Sequence, residues 1–489
     1  MSKLVMRNAQ FELHQNNLLS IPHFEIHSCD FWVVMGYNGS GKTAFSLALE
    51  KKLSLYNGEY QNQFDSISLL SFEKQQKILE QTFKDLNNDE APDDFGKTAR
   101  EIILNGTDKN NLCEFYAQYL HIEKLLDRPF TKLSTGESRK VLLAQALVSE
   151  PDLLILDDPF EGLDRQSVQD WLKLLESLKG KLALVLIVNR FSDIPSIADF
   201  VAILDNKQMI LAGKRQDIEG QSVYQQLKYA EDAEDVPLPG SASPLIRLPE
   251  GQNPFELKNV TIQYGDKVIL NNLNWTVKAK QNWWIKGPNG AGKSTLLSII
   301  TGDHPQAFAN HVVLFGKRRG SGETLWDIKQ KIGYVSSQLH MDYRVNSTAI
   351  DVIISGFFDS IGVYRQVPDA LRIKAMQWLS RLNMDSLAKK PFRSLSWGQQ
   401  RLLLITRAMV KHPPVLILDE PLQGLDGINR KLVKSFIEQL VSNSETQLLF
   451  VSHQDQDAPN CITHLFEFIS QEEGYCYQQK TLESADIME

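Results

Sequence analysis

The stretch GPNGAGKS, residues 287–294, determines the fold class of this chain. It fits the phosphate-loop pattern GxxxxGK[ST], in which a glycine-rich turn points backbone N–H groups at an anion beside the positive end of a helix. The apolar residues WWI precede the stretch, and TLLSIIT follows it with a composition typical of a helix. Because a phosphate loop needs a buried strand before it and a helix after it, the sequence predicts a nucleotide-binding α/β domain.

A second phosphate loop, GYNGSGKT, occupies residues 36–43 and begins 251 positions earlier in the chain. The residues ahead of the two loops align without a gap, and they pair Asn8 with Asn259 and Trp32 with Trp283. Self-similarity at a fixed offset indicates a repeat. The sequence therefore predicts two domains of the same fold that arose by duplication.

Two further motifs also occur twice, both at an offset of 262 residues. LSTGESRK at 133–140 corresponds to LSWGQQRL at 395–402, and LLILDDPFEGLD at 153–164 corresponds to VLILDEPLQGLD at 415–426. The larger offset places an insertion in the second half, within 301–350. An ordered set of repeated matches favours duplication over chance similarity.

Acidic residues, proline, glycine and serine are concentrated between the two halves, without sustained periodicity. Such a segment is typical of an exposed linker. The predicted organisation is domain 1 at 1–226, an acidic linker rich in proline and glycine at 227–253, and domain 2 at 254–489. A linker of this length spans about 30 Å as a flexible coil, so the two domains of one chain can pair with each other.

The composition is that of an ordinary globular protein. The chain has 489 residues, of which 42% are hydrophobic and 23% are charged, and its net charge is -8. This balance offers no global attraction for nucleic acid, so a nucleic-acid partner is disfavoured. The four cysteines show no metal-binding spacing. No apolar run approaches the roughly 20 residues that a bilayer requires, so we expect a cytoplasmic protein without direct membrane insertion.

Each phosphate loop carries side chains suited to a nucleoside triphosphate and Mg²⁺. The loop lysine reaches the β- and γ-phosphates, and the hydroxyl of the next residue binds Mg²⁺. The strands LLILD and VLILD each end in an aspartate at the carboxyl edge of a parallel sheet, which is the second expected Mg²⁺ ligand. The predicted metal ligands are Thr43, Asp157, Ser294 and Asp419. The predicted phosphate-binding residues are Gly36, Asn38, Gly39, Ser40, Gly41, Lys42, Thr43, Gly287, Asn289, Gly290, Ala291, Gly292, Lys293, Ser294 and Thr295.

The order of these motifs, repeated twice, resembles that of the ATP-binding cassette (ABC) ATPases over essentially the entire chain. The resemblance implies an α/β fold with two tandem P-loop ATPase domains, each with a RecA-like core, an antiparallel β subdomain and a helical subdomain. In that family two such domains hold two ATP molecules head to tail. Each ATP lies between the phosphate loop of one domain and the signature, LSxGQ, of the other.

The second half matches the family pattern at every position. The resemblance implies that Tyr264 stacks on adenine and that Gln338, in YVSSQ, contacts both the Mg²⁺ and the reacting phosphate. It makes Glu420 the catalytic carboxylate, Asp426 the acid of the following loop and His453 the histidine that steadies the γ-phosphate. This set is chemically coherent, because phosphoryl transfer depends on positioning and charge.

The first half departs from the family pattern. Leu13 replaces the stacking aromatic residue, Asp158 replaces the catalytic glutamate and Arg190 replaces the histidine. Glu73 takes the position of Gln338, with 75–76 as alternatives. Asp158 is shorter than glutamate by one methylene, and arginine cannot accept a hydrogen bond as a neutral histidine does. We therefore expect this half to bind ATP and to hydrolyse it slowly.

The resemblance also implies which signature serves which ATP. The stronger phosphate loop, in the second half, works against Ser134 and Gly136, and the weaker loop works against Ser396 and Gly398. Thr135 stands where the family has a glycine. We expect one site of high turnover and one that serves mainly as a clamp.

Three classes of tandem cassette protein are compatible with these motifs: translation factors, sugar-importer ATPases and the double-cassette proteins encoded with molybdate transport genes. The stretches 301–306, 314–345 and 354–364 are similar to the third class. That similarity implies an ATPase linked to molybdenum uptake, peripheral on the cytoplasmic face of the inner membrane, with separate permease subunits. The alternative is a soluble clamp on nucleic acid or a ribosome. The basic run 317–319 is interpreted as a solvated loop.

Overall fold

The computed structural model describes residues 3–13, 17–71, 96–133, 135–161, 163, 165–229, 237–241, 245–265, 267–343, 345–471 and 474–482. The chain divides into two compact units, Met1–Glu231 and Asp232–Glu489, which we call unit 1 and unit 2. Glu73 and Ser134, both named above, lie outside the described residues. The domain limits at 226 and 254 remain predictions.

In the described part of unit 1, the strands form one sheet in the order β4-β1-β2-β9-β8-β3-β7-β6-β5. Strands β5, β6, β7, β3 and β8 run parallel, whereas β1 pairs antiparallel with β2 and β4. The strands are β1 (Lys3–Leu13), β2 (Asn17–His27), β3 (Phe31–Gly36), β4 (Leu55–Asn62), β5 (Ile67–Ser71), β6 (Leu153–Asp157), β7 (Ala183–Val188), β8 (Phe200–Asp205) and β9 (Gln208–Lys214). The helices are α1 (Lys42–Leu49), α2 (Ala99–Leu104), α3 (Asn110–Tyr119), α4 (Thr135–Val148), α5 (Arg165–Leu178), α6 (Arg215–Glu219) and α7 (Ser222–Tyr229).

In the described part of unit 2, the strands form two sheets, ordered β11-β10-β13-β14 and β15-β16-β17-β12-β18-β19. The first sheet is antiparallel, and the second is parallel except for β19. The strands are β10 (Phe255–Tyr264), β11 (Lys267–Val277), β12 (Trp283–Lys286), β13 (His311–Leu314), β14 (Lys317–Arg318), β15 (Ile332–Val335), β16 (Val415–Asp419), β17 (Gln447–Val451), β18 (His464–Ser470) and β19 (Tyr475–Thr481). The helices are α8 (Lys293–Ile300), α9 (Leu325–Lys329), α10 (Ser337–Asp342), α11 (Ala349–Ser355), α12 (Asp369–Arg381), α13 (Trp397–Met409) and α14 (Gly427–Asn443).

The central strands are almost entirely apolar because both faces of the parallel sheet are covered. Every residue of β3 and of β7 in unit 1 is buried, as is every residue of β17 in unit 2. Strand β12 leads into the phosphate loop, and β17 lies between β12 and β16. The loop after β12 and the acids after β16 therefore share the carboxyl edge of one sheet, where α/β proteins bind ligands.

The two units repeat the same unusual backbone conformations. Asn8 and Asn259 have φ of 45° and 51°, and Asp158 and Glu420 have φ of 48° and 49°. Positive φ is uncommon for residues other than glycine, so its recurrence at equivalent positions is a specific feature of the fold. The structure thus confirms the α/β fold in two tandem copies.

The basic run at 317–319 is only partly solvated, so the prediction of a solvated loop is wrong for Arg319. Its side chain is 5% exposed and pairs with Glu323, with 2.6 Å between Nη1 and Oε1. The guanidinium also lies over the ring of Phe308 at 4.5 Å and donates to the carbonyl of Gly302. The sequence pattern did not show this partner because the pairing depends on the turn between β14 and α9.

The first three residues of the predicted linker, 227–229, end helix α7, and its other described residues, 237–241 and 245–253, form no helix or strand. Part of it nevertheless contacts the rest of unit 2. The backbone N–H of Leu238 donates to Gln439, and the carbonyl of Pro239 lies 3.2 Å from His412 Nε2. The interpretation as a fully exposed linker is therefore too simple for this part.

Candidate functional site

The phosphate loop of unit 2 is closed around a buried lysine. Lys293 Nζ donates to the carbonyls of Gly287 and Pro288 at 2.7 and 3.0 Å, and the residue is 8% exposed. Gly292 caps α8 with φ of 99°, and a Cβ there would lie 3.0 Å from Leu270 Cδ2. Glycine is needed at this turn for its conformation and for the close contact. The loop thus presents an ammonium group and a helix N-terminus, which suit a phosphate.

The phosphate loop of unit 1 has the same construction. Lys42 Nζ donates to the carbonyls of Gly36 and Tyr37 at 2.6 and 3.2 Å. Gly41 caps α1 with φ of 104°. The next residues, Thr43 in unit 1 and Ser294 in unit 2, are exposed at the first turn of their helices. Both loops therefore hold the lysine inside the loop and leave the hydroxyl residue exposed beside it.

Asp419 and Glu420 follow β16 at the same sheet edge. Burial and the neighbouring charge of Glu420 raise the pKa of Asp419 to about 7, while Arg401 and Lys293 oppose the rise. The backbone N–H of Glu420 donates to the carbonyl of Val451 at 3.0 Å, which anchors the left-handed turn. A buried carboxylate whose anion is disfavoured is stabilised when a cation binds beside it.

The donor chemistry of this edge fits Mg²⁺. Among the described residues, no group of three or more histidine, cysteine or acidic side chains forms a metal cluster. Mg²⁺ in phosphate-transfer proteins takes one or two protein oxygens and fills its other positions with phosphate oxygens and water. Ser294 and Asp419 are a hydroxyl and a carboxylate of this kind.

His453 lies beside Glu420. Its Nδ1 is 3.0 Å from Glu420 Oε1, and the two side chains are 7% and 21% exposed. Burial alone would lower the pKa of His453, but the hydrogen bond and the charge of Glu420 outweigh it and raise the pKa. The other ring nitrogen, Nε2, is buried and has no hydrogen-bond partner among the described residues. A buried ring nitrogen in this state can form a hydrogen bond with an oxygen atom of a bound ligand.

The residues of unit 1 that correspond to Glu420 and His453 are Asp158 and Arg190, and they are arranged differently. Arg190 Nε donates to Asp193 Oδ2 at 2.7 Å, so the guanidinium is paired with that neighbour. Burial raises the pKa of Asp158 to about 6, and the acids Glu161 and Asp193 add to the rise while Lys42 opposes it. Unit 1 thus has an arginine paired with an acid at the position where unit 2 has a histidine beside Glu420.

Two other predicted site residues lie in exposed positions. Gln338 Nε2 donates to Asp342 Oδ2 at 2.8 Å, within α10. Tyr264 is 55% exposed at the end of β10, and its hydroxyl lies 2.8 Å from His304 Nε2. The Tyr264 ring is thus accessible for stacking, whereas the amide of Gln338 is occupied by its neighbour.

The two signatures begin helices α13 and α4. Ser396 caps α13, its Oγ accepts from the N–H of Gln399, and the Gln399 side chain accepts in return from the N–H of Ser396. Gly398 is buried in the first turn. In unit 1, Gly136 lies in the first turn of α4. The described signature residues Ser396, Gly398 and Gly136 therefore lie at helix N-termini, which suit an anion.

A buried arginine, which was not predicted from the sequence, stands behind each acidic pair. Arg401 Nη2 donates to the carbonyls of Asp419 and Glu420 at 3.1 and 2.6 Å, and Arg401 Nη1 donates to the carbonyl of Ser336 at 3.0 Å. In unit 1, Arg139 donates to the carbonyls of residues 158, 159 and 161. The repeated pattern LSxGxxR was the signal that could have revealed both.

An aromatic contact at the signature of unit 2 was also not predicted from the sequence. The rings of His340 and Trp397 are stacked, with 3.7 Å between centroids and 20° between planes. His340 Nε2 lies 2.9 Å from Gln400 Oε1, and burial lowers the pKa of His340 to about 4, so the ring is neutral. The two residues are far apart in the chain, so no local sequence pattern predicts their contact.

The loop lysine, the helix N-terminus and the paired acids together define a P-loop nucleoside triphosphatase. The family model for the ABC transporter matches residues 19–161 and 270–423. The chain therefore belongs to the ABC transporter family, and it is an ATPase with two tandem ATP-binding domains. Among the described residues, no helix has both the length and the apolar character needed to cross a bilayer.

Several relatives extend over most of the chain. The ABC transporter ATP-binding protein ModF of Escherichia coli K12 is 49% identical over 96% of this chain and 97% of its own. An uncharacterized ABC transporter ATP-binding protein of Schizosaccharomyces pombe is 26% identical over 93% of this chain and 94% of its own. The archaeal ribosome recycling factor aABCE1, solved with ribosomal stalk protein aP1, has a TM-score of 0.59 at 16% identity over 96% of this chain and 89% of its own. The last similarity concerns the fold alone.

Proposed function

We propose that this ATPase drives a membrane permease made of separate subunits and that it takes part in molybdate uptake. The contact of Glu420 with His453 carries the ATPase part of the proposal, because it places a carboxylate and a ring nitrogen at the edge that holds the phosphate loop. The similarity to ModF supports the molybdenum link. The protein would then lie peripherally on the cytoplasmic face of the inner membrane.

In unit 2, the chain's own residues supply the positioning that phosphoryl transfer needs. Lys293 holds the β- and γ-phosphates, Glu420 orients and polarises the attacking water, and His453 Nε2 contacts the γ-phosphate. Ser294 and Asp419 would hold Mg²⁺, which would neutralise negative charge on the phosphates. Gln338 joins this set only after it gives up its hydrogen bond to Asp342, so we expect ATP binding to rearrange α10.

In unit 1, the same loop geometry favours ATP binding. The residues that replace Glu420 and His453, however, disfavour hydrolysis. Asp158 is one methylene shorter than glutamate, and Arg190, which stands in place of the histidine, is paired with Asp193. We propose that this half holds ATP as a clamp. The two halves of one chain pair head to tail, so that Ser134 and Gly136 act on the ATP of unit 2, and Ser396 and Gly398 act on the ATP of unit 1.

The test uses the variant Glu420→Gln, which retains the shape of the site and removes the base, so that ATP-bound chains accumulate. The variant is purified gently from cells with ATP present, and the proteins that accompany it are identified by mass spectrometry. Lys293→Ala is the matched control, because it weakens ATP binding in the same unit. We expect an inner-membrane permease with Glu420→Gln and much less of it with Lys293→Ala.

Recovery of ribosomes or nucleic-acid proteins instead of a permease would contradict the transport proposal and favour the soluble clamp. Molybdate accumulation in cells tests the finer claim separately. Cells that carry only the Lys293→Ala variant should accumulate less molybdate than cells with the unaltered chain. Equal accumulation, with a permease recovered, would leave the transport proposal standing and remove molybdate as its solute.

A further inference from the structure

Trp397 lies between Ser396 and Gly398 in the signature of unit 2, and two other segments hold it. Its ring stacks on His340 at 3.7 Å. On another side it meets the backbone of Gly424, where an added Cβ would lie 2.6 Å from Trp397 Cδ1 and 2.7 Å from its Nε1. Only glycine permits this approach, and its φ of 75° also favours glycine. We call His340, Trp397 and Gly424 the tryptophan cluster.

The cluster is tied to its surroundings by hydrogen bonds. His340 is 4% exposed, and its Nε2 lies 2.9 Å from Gln400 Oε1 in the first turns of α13. Ser337 Oγ donates to Gln423 Oε1 at 2.8 Å, next to Gly424. Close-packed interiors transmit small shifts, because their side chains have no room to move independently. Packing and hydrogen bonds therefore connect helix α10, the start of α13 and the loop after β16.

Each of these three segments carries a residue of an ATP site. Helix α10 contains Gln338, and the loop that contains Gly424 begins at Glu420, so both belong to the ATP of unit 2. The start of α13 carries Ser396, which the proposed pairing directs at the ATP of unit 1. Unit 1 has Thr135 at the position of Trp397, so it has no aromatic ring there.

We propose that Trp397 is a positioning residue through which ATP at the loop of unit 1 controls turnover at the loop of unit 2. This inference rests on the head-to-tail pairing proposed above. ATP bound at the loop of unit 1 fixes the conformation of the signature of unit 2. The indole of Trp397 contacts His340 and Gly424, so their positions become fixed as well. These two residues then position Gln338 and Glu420 for hydrolysis.

The test measures steady-state ATP hydrolysis by the full chain. Trp397→Gly is expected to lower kcat about tenfold with KM nearly unchanged, which is the upper range for a lost aromatic contact. Trp397→Phe retains a stacking ring and should recover most of the rate. Trp326→Ala is the matched control, because Trp326 is 53% exposed on α9 and lies outside the cluster. It should leave both constants unchanged.

The decisive readout is the effect of Lys42→Ala in each background. In the unaltered chain, Lys42→Ala should slow turnover, and in the Trp397→Gly chain it should have little further effect. His340→Leu removes the ring from the other side and should reproduce Trp397→Gly without adding to it, which also covers the case of a poorly folded Trp397→Gly chain. A Lys42→Ala effect that persists undiminished in both ring variants would overturn the inference and leave the pairing standing. If Lys42→Ala has no effect in the unaltered chain, the pairing and the inference fail together.

Discussion

Glu420 and Asp158 occupy equivalent positions after a buried strand, and both adopt a left-handed backbone, with φ of 49° and 48°. A residue other than glycine in this region costs on the order of 1 kcal/mol or more, so such strain persists where the surrounding fold enforces it. In each case the backbone N–H is held by a carbonyl of the next strand, at 3.0 Å from Val451 and 2.9 Å from Ile187. The turn directs each carboxylate toward the sheet edge.

The two acids should therefore differ in their effect on catalysis. Glu420→Gln removes a positioned base and is expected to lower kcat by roughly 100-fold or more. Asp158→Asn should lower it by less than about threefold, because Asp158 lacks the histidine partner and contributes little turnover. The measurement is steady-state ATP hydrolysis, with nucleotide binding by each variant as the control for folding. Similar losses from both substitutions would contradict the division between a fast and a slow site.

At this scale the motif residues were predictable and their partners were not. Lys293 and Asp419 follow from short patterns, because a phosphate loop or a strand end places its own side chain. The histidine at 453 came only from the family resemblance. The bond between Gln338 and Asp342 was not predicted, because an exposed amide has many partners of equal chemistry.

At the scale of elements, the buried pair of Arg319 and Glu323 holds the turn before α9. Glu323 is 2% exposed at its side chain, and it also accepts from the N–H groups of Gly320 and Ser321 at 2.9 and 3.0 Å. Burial alone would raise the pKa of Glu323, but these hydrogen bonds and the charge of Arg319 outweigh it and lower the pKa. The ionised form therefore stabilises the folded state.

Glu323→Gln should destabilise unit 2 by about 3 kcal/mol, because it leaves the Arg319 guanidinium buried without its counter-ion. The native pKa is lowered, so the stabilisation is fully present above the unfolded pKa near 4.5 and is lost as the pH falls through the native value. Urea unfolding at a series of pH values measures the difference between the two chains. It should be constant near neutral pH and shrink below about pH 4.5. A difference that does not change with pH would show that the charge is not its source.

Glu250→Gln is a suitable control for this series. Glu250 lies in the exposed segment before β10. Removal of a charge at an exposed position usually changes stability by less than about 0.5 kcal/mol. The comparison separates the buried ion pair from the general effect of net charge.

At the scale of the whole molecule, the chain has two similar phosphate loops. The residues at the neighbouring strand ends differ, with Glu420 and His453 in unit 2 and Asp158 and Arg190 in unit 1. The proposed pairing makes a specific statement about combinations of substitutions. Lys293→Ala and Gly136→Asp disable opposite sides of one ATP site, whereas Lys293→Ala and Gly398→Asp affect different sites. Substitutions that act on one site are not additive.

We therefore expect Lys293→Ala with Gly136→Asp to be no slower than Lys293→Ala alone. Lys293→Ala with Gly398→Asp should be slower still, because both sites are then disabled. ATP hydrolysis by the full chain under saturating Mg²⁺-ATP is the measurement. Additive losses for the first pair would contradict head-to-tail pairing. Head-to-tail pairing would be supported if only the second pair hydrolysed ATP more slowly than Lys293→Ala alone.

The sequence by itself determined the repeated α/β fold, the two phosphate loops and the acids at the strand ends. These features depend on short patterns: alternation between buried strands and helices, glycines at turns and an acid after a run of apolar residues. A few neighbouring residues are enough to specify each one, so they can be predicted without tertiary contacts.

Only the tertiary structure decided which side chains meet. It placed Arg401 behind Glu420, stacked His340 on Trp397 and paired Arg190 with Asp193. The members of the first two pairs are far apart in the chain, and each group could satisfy its chemistry with many others. Which partner it meets depends on how strands and helices pack, because packing sets the distances over which charges, rings and hydrogen bonds act.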